Sequence, residues 1–303
     1  MTKHIISARQ FNQKTLERIF ALSDKIKAGR FNKNALTGKI LVSLFYEPST
    51  RTRFSFESAM LHLGGKVLST ENASEFSSTA KGETLEDTIR VVNGYGDIIV
   101  IRHFNTGASE LAAKFSKVPI INAGDGNGEH PTQALLDLYT IFSRFKKPSF
   151  TITMVGDLLN GRTIHSLSYL LSLYPKIKII FVSPKALRIP DSLREYLKRA
   201  KVNFEESESF KYGLTSADIL YQTRVQKERF ANQTDYQKYS GMFIIDKNHL
   251  KYLKKNTVIM HPLPRVNEIA PEVDEDPRAI YFEQAANGVF VRMALLLSLF
   301  DKS

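Results

Sequence analysis

The string Ser49-Thr50-Arg51-Thr52-Arg53 is the first place where residue types and spacing could do chemistry. It follows an apolar run, Ile40–Tyr46, and opens a stretch with helical periodicity. Backbone N–H groups at a helix start, reinforced by the helix dipole, attract anions. Hydroxyls and a guanidinium beside them can reach several oxygens of one phosphate. A Ser/Thr helix cap flanked by surface arginines is the simpler alternative. That alternative needs far less than this five-residue string supplies.

Six more segments carry polar groups. Phe76–Thr84 is polar throughout and includes Ser77 and Lys81; alone it reads as a solvated loop with a helix cap at Thr84. The run Asp97–Ile101 delivers Arg102 and His103 to a strand end, where an arginine could meet an anion or a surface carboxylate. Asn122–Gln133 contains Gly124, Gly126 and Gly128, so its backbone can approach a ligand closely. Its His130 and Gln133 stand about one turn apart at a helix start. An imidazole there can donate to a developing oxyanion, and an amide can orient an amine. In the second half, Gly156-Asp157-Leu158-Leu159-Asn160-Gly161-Arg162-Thr163 has P-loop spacing with Arg162 in the lysine position. A nucleotide hydrolase also needs an acidic magnesium-binding strand end, and none is convincing. Arg224 to Arg229 and His261 to Arg265 complete the set. Arg162 and Arg224 could clamp two carboxylates in fork geometry, while Lys227–Arg229 could equally be a solvated charge run.

These loops need strands to position them. Apolar runs at Ile40–Tyr46, Val67–Ser69, Asp97–His103 and Val118–Asn122 alternate with helical patterns at Ser49–Leu63, Thr84–Val92 and Ser109–Phe115. After a long helix opened by Pro131, strands recur at Phe150–Val155, Ile177–Val182, Val202–Phe204, Ile219–Thr223 and Thr257–Met260. Helices near Thr163–Leu173, Ser192–Lys201 and Asn248–Leu253 separate them, and a last apolar helix lies within Arg278–Phe300. The alternation predicts an α/β fold of two doubly wound parallel-sheet domains joined by helices. Ligands of such sheets bind beyond the carboxyl ends of the strands, where these loops lie.

The composition sets the limits. The chain has 303 residues, 43% hydrophobic and 24% charged, with a formal charge of +11 and no cysteine. Disulfides, thiol nucleophiles and cysteine-bound metals are excluded. The positive charge permits an anionic ligand, but the lysines form no block that reads as a nucleic-acid tail. No apolar run reaches membrane-spanning length, and Met1–Phe11 lacks a signal-peptide core, so we expect a cytoplasmic protein without a membrane partner. No metal or cofactor pattern and no hydrolase elbow appear. A nucleotide hydrolase and a nucleic-acid-binding module remain the competing classes.

Taken together, these strings resemble the aspartate and ornithine carbamoyltransferase family over nearly the whole chain. Ser49-Thr50-Arg51-Thr52-Arg53 resembles the family's carbamoyl-phosphate loop, and His130-Pro131-Thr132-Gln133 belongs to the wider family. Lys81-Gly82-Glu83-Thr84, Thr223 to Arg229 and His261-Pro262-Leu263-Pro264-Arg265 resemble the aspartate type; the ornithine type carries a cysteine in the last motif. The resemblance implies carbamoyl transfer from carbamoyl phosphate to L-aspartate, without cofactor or metal. It implies residues 1–131 with 286–303 as the carbamoyl-phosphate domain, the terminal helix returning to it, and 132–285 as the aspartate domain. Ser49, Thr50, Arg51 and Thr52 would hold phosphate, with Arg102 bridging phosphate and carbonyl. Thr52, Arg102 and His130 would polarise the carbonyl, and Gln133 with the Pro262 and Leu263 backbone would hold the carbamoyl nitrogen. Arg162, Arg224, Gln226 and Leu263 would take aspartate. Ser77 and Lys81 would enter a neighbouring subunit's site, implying a homotrimer with shared sites; a separate regulatory chain fits the family too. The pair Leu159-Asn160 stands where allosteric relatives have Lys-Tyr, so strong cooperativity is not expected.

Overall fold

The computed structural model describes residues 3–71, 82–225 and 233–300. The chain divides into two units, Met1–Tyr139 with Ala286–Ser303, and Thr140–Ala285.

The first unit is built on four parallel strands: β1 (Ile40–Phe45), β2 (Lys66–Glu71), β3 (Ile98–His103) and β4 (Ile120–Asp125). Their spatial order is β2-β1-β3-β4. Residues 41–45 are all buried, which is why β1 reads as a continuous apolar run and not an alternating one. Val42, Leu44, Ile99, Ile101 and Ile120 share a core with Ile89 and Ala112. Each buried valine, leucine or isoleucine among them contributes about 1.5–3 kcal/mol. Ile89 lies on α3 (Leu85–Val92) and Ala112 on α4 (Ala108–Phe115), while α2 (Thr50–His62) follows β1. Thr84 caps α3, its hydroxyl accepting the Asp87 N–H at 3.2 Å, as the sequence suggests.

Two features of this first unit differ from the sequence reading, as do the helices at Phe210–Ser216 and Gln233–Tyr239 in the second, which it did not include. A helix α1 (Gln13–Lys27) precedes β1; Asn12 caps it and Leu16, Ile19, Phe20 and Ile26 form its buried face. The strand expected to stop at Asn122 runs on through Ala123 and Gly124 to Asp125. A register shift between Ile101 and His103 lets Asp125 pair with His103. A bulge of this kind re-aims the end of a strand.

The second unit carries β5 (Thr151–Val155), β6 (Lys178–Val182), β7 (Asn203–Ser207), β8 (Ile219–Gln222) and β9 (Val258–Met260). They are parallel, in the order β7-β6-β5-β8-β9. The helix α5 (Pro131–Arg144) leads in, α6 (Arg162–Leu171) follows β5, and α7 (Asp191–Arg199) and α8 (Phe210–Ser216) cover the next two crossovers. Beyond β8 come α9 (Gln233–Tyr239) and the short α10 (Lys247–Leu250), then α11 (Tyr281–Phe300) after β9. From Ala286 onward α11 belongs to the first unit.

Both sheets reverse direction once. In the first, β1 lies between β2 and β3; in the second, β5 lies between β6 and β8. Connections on either side of such a switch point leave in opposite directions and open a crevice at the carboxyl ends. The loops after β1 and β3, and those after β5 and β8, therefore face the places where ligands bind.

Candidate active site

At the first switch point, β1 and β3 pair with Phe45 opposite Arg102, and the Tyr46 N–H donates to the Arg102 carbonyl at 2.8 Å. The register brings the end of β1, and Glu47 just before the Ser49–Arg53 string, against Arg102. Ser49 occupies the N-cap of α2, yet its side chain makes no capping bond. The simpler reading of this serine, a helix cap, fails here. The first backbone bond of the helix runs from the Arg53 N–H to the Ser49 carbonyl at 3.1 Å. Donors of the turn before it lie outside the helical ladder, as at every helix start. Thr52 is buried, while Thr50 and Arg51 are exposed.

Arg102 is held from two sides. Its Nη2 meets Glu47 Oε2 at 2.7 Å, and its Nη1 donates to the Ala123 carbonyl at 3.3 Å. Only 12% of the Arg102 side chain is exposed, so this is no surface salt bridge. The Glu47 carboxylate shows that the guanidinium takes an oxyanion at this point. Next to it, His103 is buried between Tyr46 and Phe104, with centroid distances of 4.7 and 4.3 Å. Burial holds its pKa below the ordinary value. The imidazole Nδ1 accepts the Asn105 N–H at 2.9 Å, so its role is to shape the loop after β3.

The loop before α5 is self-braced. The Asn122 carbonyl oxygen of the side chain accepts the Gly124 N–H at 2.7 Å, and Asp125 Oδ1 accepts the Glu129 N–H at 3.0 Å. This delivers His130, 3% exposed, to the helix start, where its carbonyl accepts the Gln133 and Ala134 N–H groups at 3.1 Å each. Gln133 Nε2 donates to Asp137 Oδ1 at 2.9 Å. The amide is thereby fixed, with its oxygen turned away from Asp137.

In the second unit, β5 and β8 pair with Val155 opposite Gln222, and the Thr223 N–H donates to the Val155 carbonyl at 2.8 Å. Gly156 has φ +123°, and a Cβ there would lie 2.3 Å from the Thr223 carbonyl oxygen. Only glycine fits. Asp157 is fully buried and accepts the Asn160 N–H at 3.0 Å, with the Asn160 amide at 3.1 and 3.2 Å. That carboxylate braces its own loop. Arg162 is the first residue of α6, and Arg224 follows the end of β8. Arg224 lines a cavity of about 320 Å³ with Thr223, Tyr236, Tyr239, Asn267 and Glu268; Arg162 is not in its wall. Pro262 and Leu263 follow β9, and Leu263 has φ +53°, a left-handed conformation uncommon for leucine. Ser77, Lys81 and Gln226 lie outside the described residues.

Similarity to known proteins follows both units. A model of the family "Aspartate/ornithine carbamoyltransferase, carbamoyl-P binding domain" matches residues 3–143. A second, "Aspartate/ornithine carbamoyltransferase, Asp/Orn binding domain", matches 149–299. The chain belongs to the aspartate/ornithine carbamoyltransferase family.

Within this carbamoyltransferase family, the chain is 52% identical over 297 residues to chloroplastic aspartate carbamoyltransferase of Arabidopsis thaliana, covering 96% of this chain and 76% of that protein. It superposes on the catalytic subunit of M. Jannaschii aspartate transcarbamoylase with a TM-score of 0.90 and 46% identity, over 100% and 99% of the two chains. The Trypanosoma cruzi aspartate transcarbamoylase, solved with carbamoyl phosphate and aspartate, gives 0.92 and 41%, over 98% and 96%. The carbamoyltransferase match overrides the P-loop spacing of 156–163. Four residues that the sequence did not single out now stand beside those it did: Glu47 on Arg102, Asp137 on Gln133, Asp157 under its loop, and Glu268 on His261. Spacing offers no signal for the first and last, since only tertiary pairing brings them in. Asp137 was findable, because a carboxylate four residues after a helical glutamine falls on the same face.

Proposed function

We propose that this chain transfers the carbamoyl group of carbamoyl phosphate to the amine of L-aspartate, giving N-carbamoyl-L-aspartate and phosphate, an early step of de novo pyrimidine biosynthesis. The observation that carries it is the match of both family domains in one chain, with relatives named for the aspartate reaction over nearly all of it. The chain is a carbamoyltransferase.

The chemistry follows from charge and position. Both substrates are anions, so their charge must be neutralised before they meet. Ser49, Thr50, Arg51 and Thr52 hold the phosphate at the start of α2. Arg102 bridges phosphate and carbonyl oxygen, taking the kind of oxyanion contact that Glu47 makes at 2.7 Å. Thr52, Arg102 and His130 polarise the carbonyl. Gln133 and the Pro262 and Leu263 backbone hold the carbamoyl nitrogen. Arg162, Arg224 and Gln226 take the aspartate carboxylates, with Leu263 against the amino acid. The amine nitrogen attacks the carbonyl carbon, the C–O bond to phosphate breaks, and phosphate leaves with the amine proton. No enzyme nucleophile is required. Alignment supplies up to about 7–11 kcal/mol in ideal cases. A donor aimed at the oxyanion adds about 3 kcal/mol.

Ser77 and Lys81 act from a neighbouring chain in a homotrimer. Supporting this, Phe54 and Leu61 on α2 are 53% and 60% exposed and fall on one face with Ser58, an apolar surface suited to a protein contact. Assembly with a separate regulatory chain and a cytoplasmic location complete the proposal. Among the described residues, no helix is long and apolar enough to cross a membrane.

N-(phosphonacetyl)-L-aspartate tests the reading directly, since it joins a phosphonate, a carbonyl and an aspartate in one molecule. It should raise the melting temperature far more than phosphonoacetate and succinate added together. Equal shifts would count against both substrates being bound for one reaction.

A further inference from the structure

The segment Pro262-Leu263-Pro264 has one backbone donor, because proline has no N–H. That donor is already taken: the Leu263 N–H donates to His261 Nδ1 at 2.8 Å. The bond settles the tautomer. Nδ1 must be the acceptor, so the ring proton sits on Nε2 and donates to Glu268 Oε1 at 2.7 Å. Both side chains are buried, 1% and 9% exposed. The other Glu268 oxygen accepts the Val266 and Asn267 N–H groups at 3.2 Å each, and the His261 N–H donates to Gln284 Oε1 at 2.9 Å. The whole turn is thus fastened at both ends, with Leu263 held in its left-handed conformation.

What remains to a ligand along this segment is carbonyl oxygen alone. Acceptors recognise a group that donates, and of the substituents a small acyl carbon can bear, an –NH2 donates while –CH3 does not. We propose that His261 and Glu268 are positioning residues that make Pro262–Pro264 an acceptor-only surface, selecting carbamoyl over acetyl at the reacting carbon. The inference rests on the reading that this segment meets the carbamoyl nitrogen. A protonated His261 would carry a hydrogen on Nδ1 facing the Leu263 N–H, so only the neutral ring serves; burial favours that form.

The test compares inhibition or binding constants for carbamoyl phosphate and acetyl phosphate, which differ only in NH2 against CH3. In the wild-type protein the carbamoyl ligand should bind at least about tenfold tighter, a preference expected when buried acceptors lose their donor. His261→Phe frees the Leu263 N–H and should cut that preference several-fold. His261→Asn, whose amide oxygen can stand in for Nδ1, should restore most of it. A merely structural role would weaken both ligands alike and leave the ratio unchanged, which would overturn the proposal. Should His261→Phe fail to fold, Glu268→Ala takes its place, since it releases the ring; an unchanged ratio there overturns the proposal equally. Wild-type turnover of carbamoyl phosphate with aspartate is the control, and its absence would strike the functional reading instead.

Discussion

Gln133 and Asp137 face each other one turn apart on α5, with the glutamine amide donating to the carboxylate at 2.9 Å. Because a carboxylate only accepts, this bond fixes which way the Gln133 amide points: its nitrogen lies toward Asp137 and its oxygen is turned away, with the acceptor free of that bond. Asp137 also attracts Arg292, a guanidinium buried so completely that its pKa falls to about 10. Arg292 in turn donates to Ser55 Oγ at 2.8 Å and lies 4.8 Å from the Phe56 ring centre, so the network reaches α2. Asp137→Ala would leave a buried cation without its counter-charge, at a cost of about 3–5 kcal/mol. Arg292→Met in the Asp137→Asn background should recover much of that loss. Chemical denaturation of the three proteins checks it; an Asp137→Ala protein as stable as wild type would contradict the network.

Arg51 is exposed and packs no core, so Arg51→Ala should fold normally and lose about 10²- to 10³-fold in kcat/KM. Lys81→Ala should likewise be inactive without unfolding. If each site is shared between neighbours, mixing the two inactive chains after dissociation should restore roughly a quarter of wild-type activity, because some sites then draw both intact residues. No recovery in verified mixed assemblies would remove the shared-site proposal.

Gly156→Ala places a Cβ 2.3 Å from the Thr223 carbonyl at a φ that alanine avoids. The strain should cost roughly 3 kcal/mol. Since Arg224 follows Thr223 directly, KM for aspartate should rise while the affinity for carbamoyl phosphate stays close to wild type. Initial rates over both substrates separate the two; a rise confined to carbamoyl phosphate would contradict the assignment.

Stability should also fall on mild acidification. Burial lowers the pKa of His103, His165 and His261 below 6.5, against the pull of Asp125 and Glu47 on the first, the Leu158 carbonyl on the second and Glu268 on the third. Below 6.5 the unfolded chain takes up protons that the folded chain refuses, so this stability is complete above that pH and declines beneath it. Each kcal/mol lost lowers the melting temperature by about 2–4 °C. A melting temperature that is flat, or rises, from pH 7.5 to 5.5 would contradict this contribution from the buried rings.

Much of the scaffold was legible because parallel strands buried on both faces read as apolar runs. Ile40–Phe45 and Thr151–Val155 are such strands, and each is followed by a loop whose chemistry stands out in the string of residues. Ala123-Gly124-Asp125 was not legible as strand, since small and polar residues usually turn; pairing with His103 across a bulge overrides that tendency. The buried stripe of α1 was present in Leu16, Ile19, Phe20 and Ile26, ahead of the region that carried the motifs. Within the site, the arginines, His130 and Gln133 announced themselves by company. Their partners did not: Glu47 meets Arg102, and Glu268 meets His261, only after the sheets have formed. Nor could spacing reveal that Ser49 declines to cap its helix.

The most direct measurement offers labelled carbamoyl phosphate to the purified protein with L-aspartate and L-ornithine in parallel. The expected product is labelled N-carbamoyl-L-aspartate, with one phosphate released per transfer, and nothing from ornithine. Transfer to ornithine would keep the phosphate-holding residues and discard the roles given to Arg162 and Arg224, and silence with both amines would contradict the account as a whole.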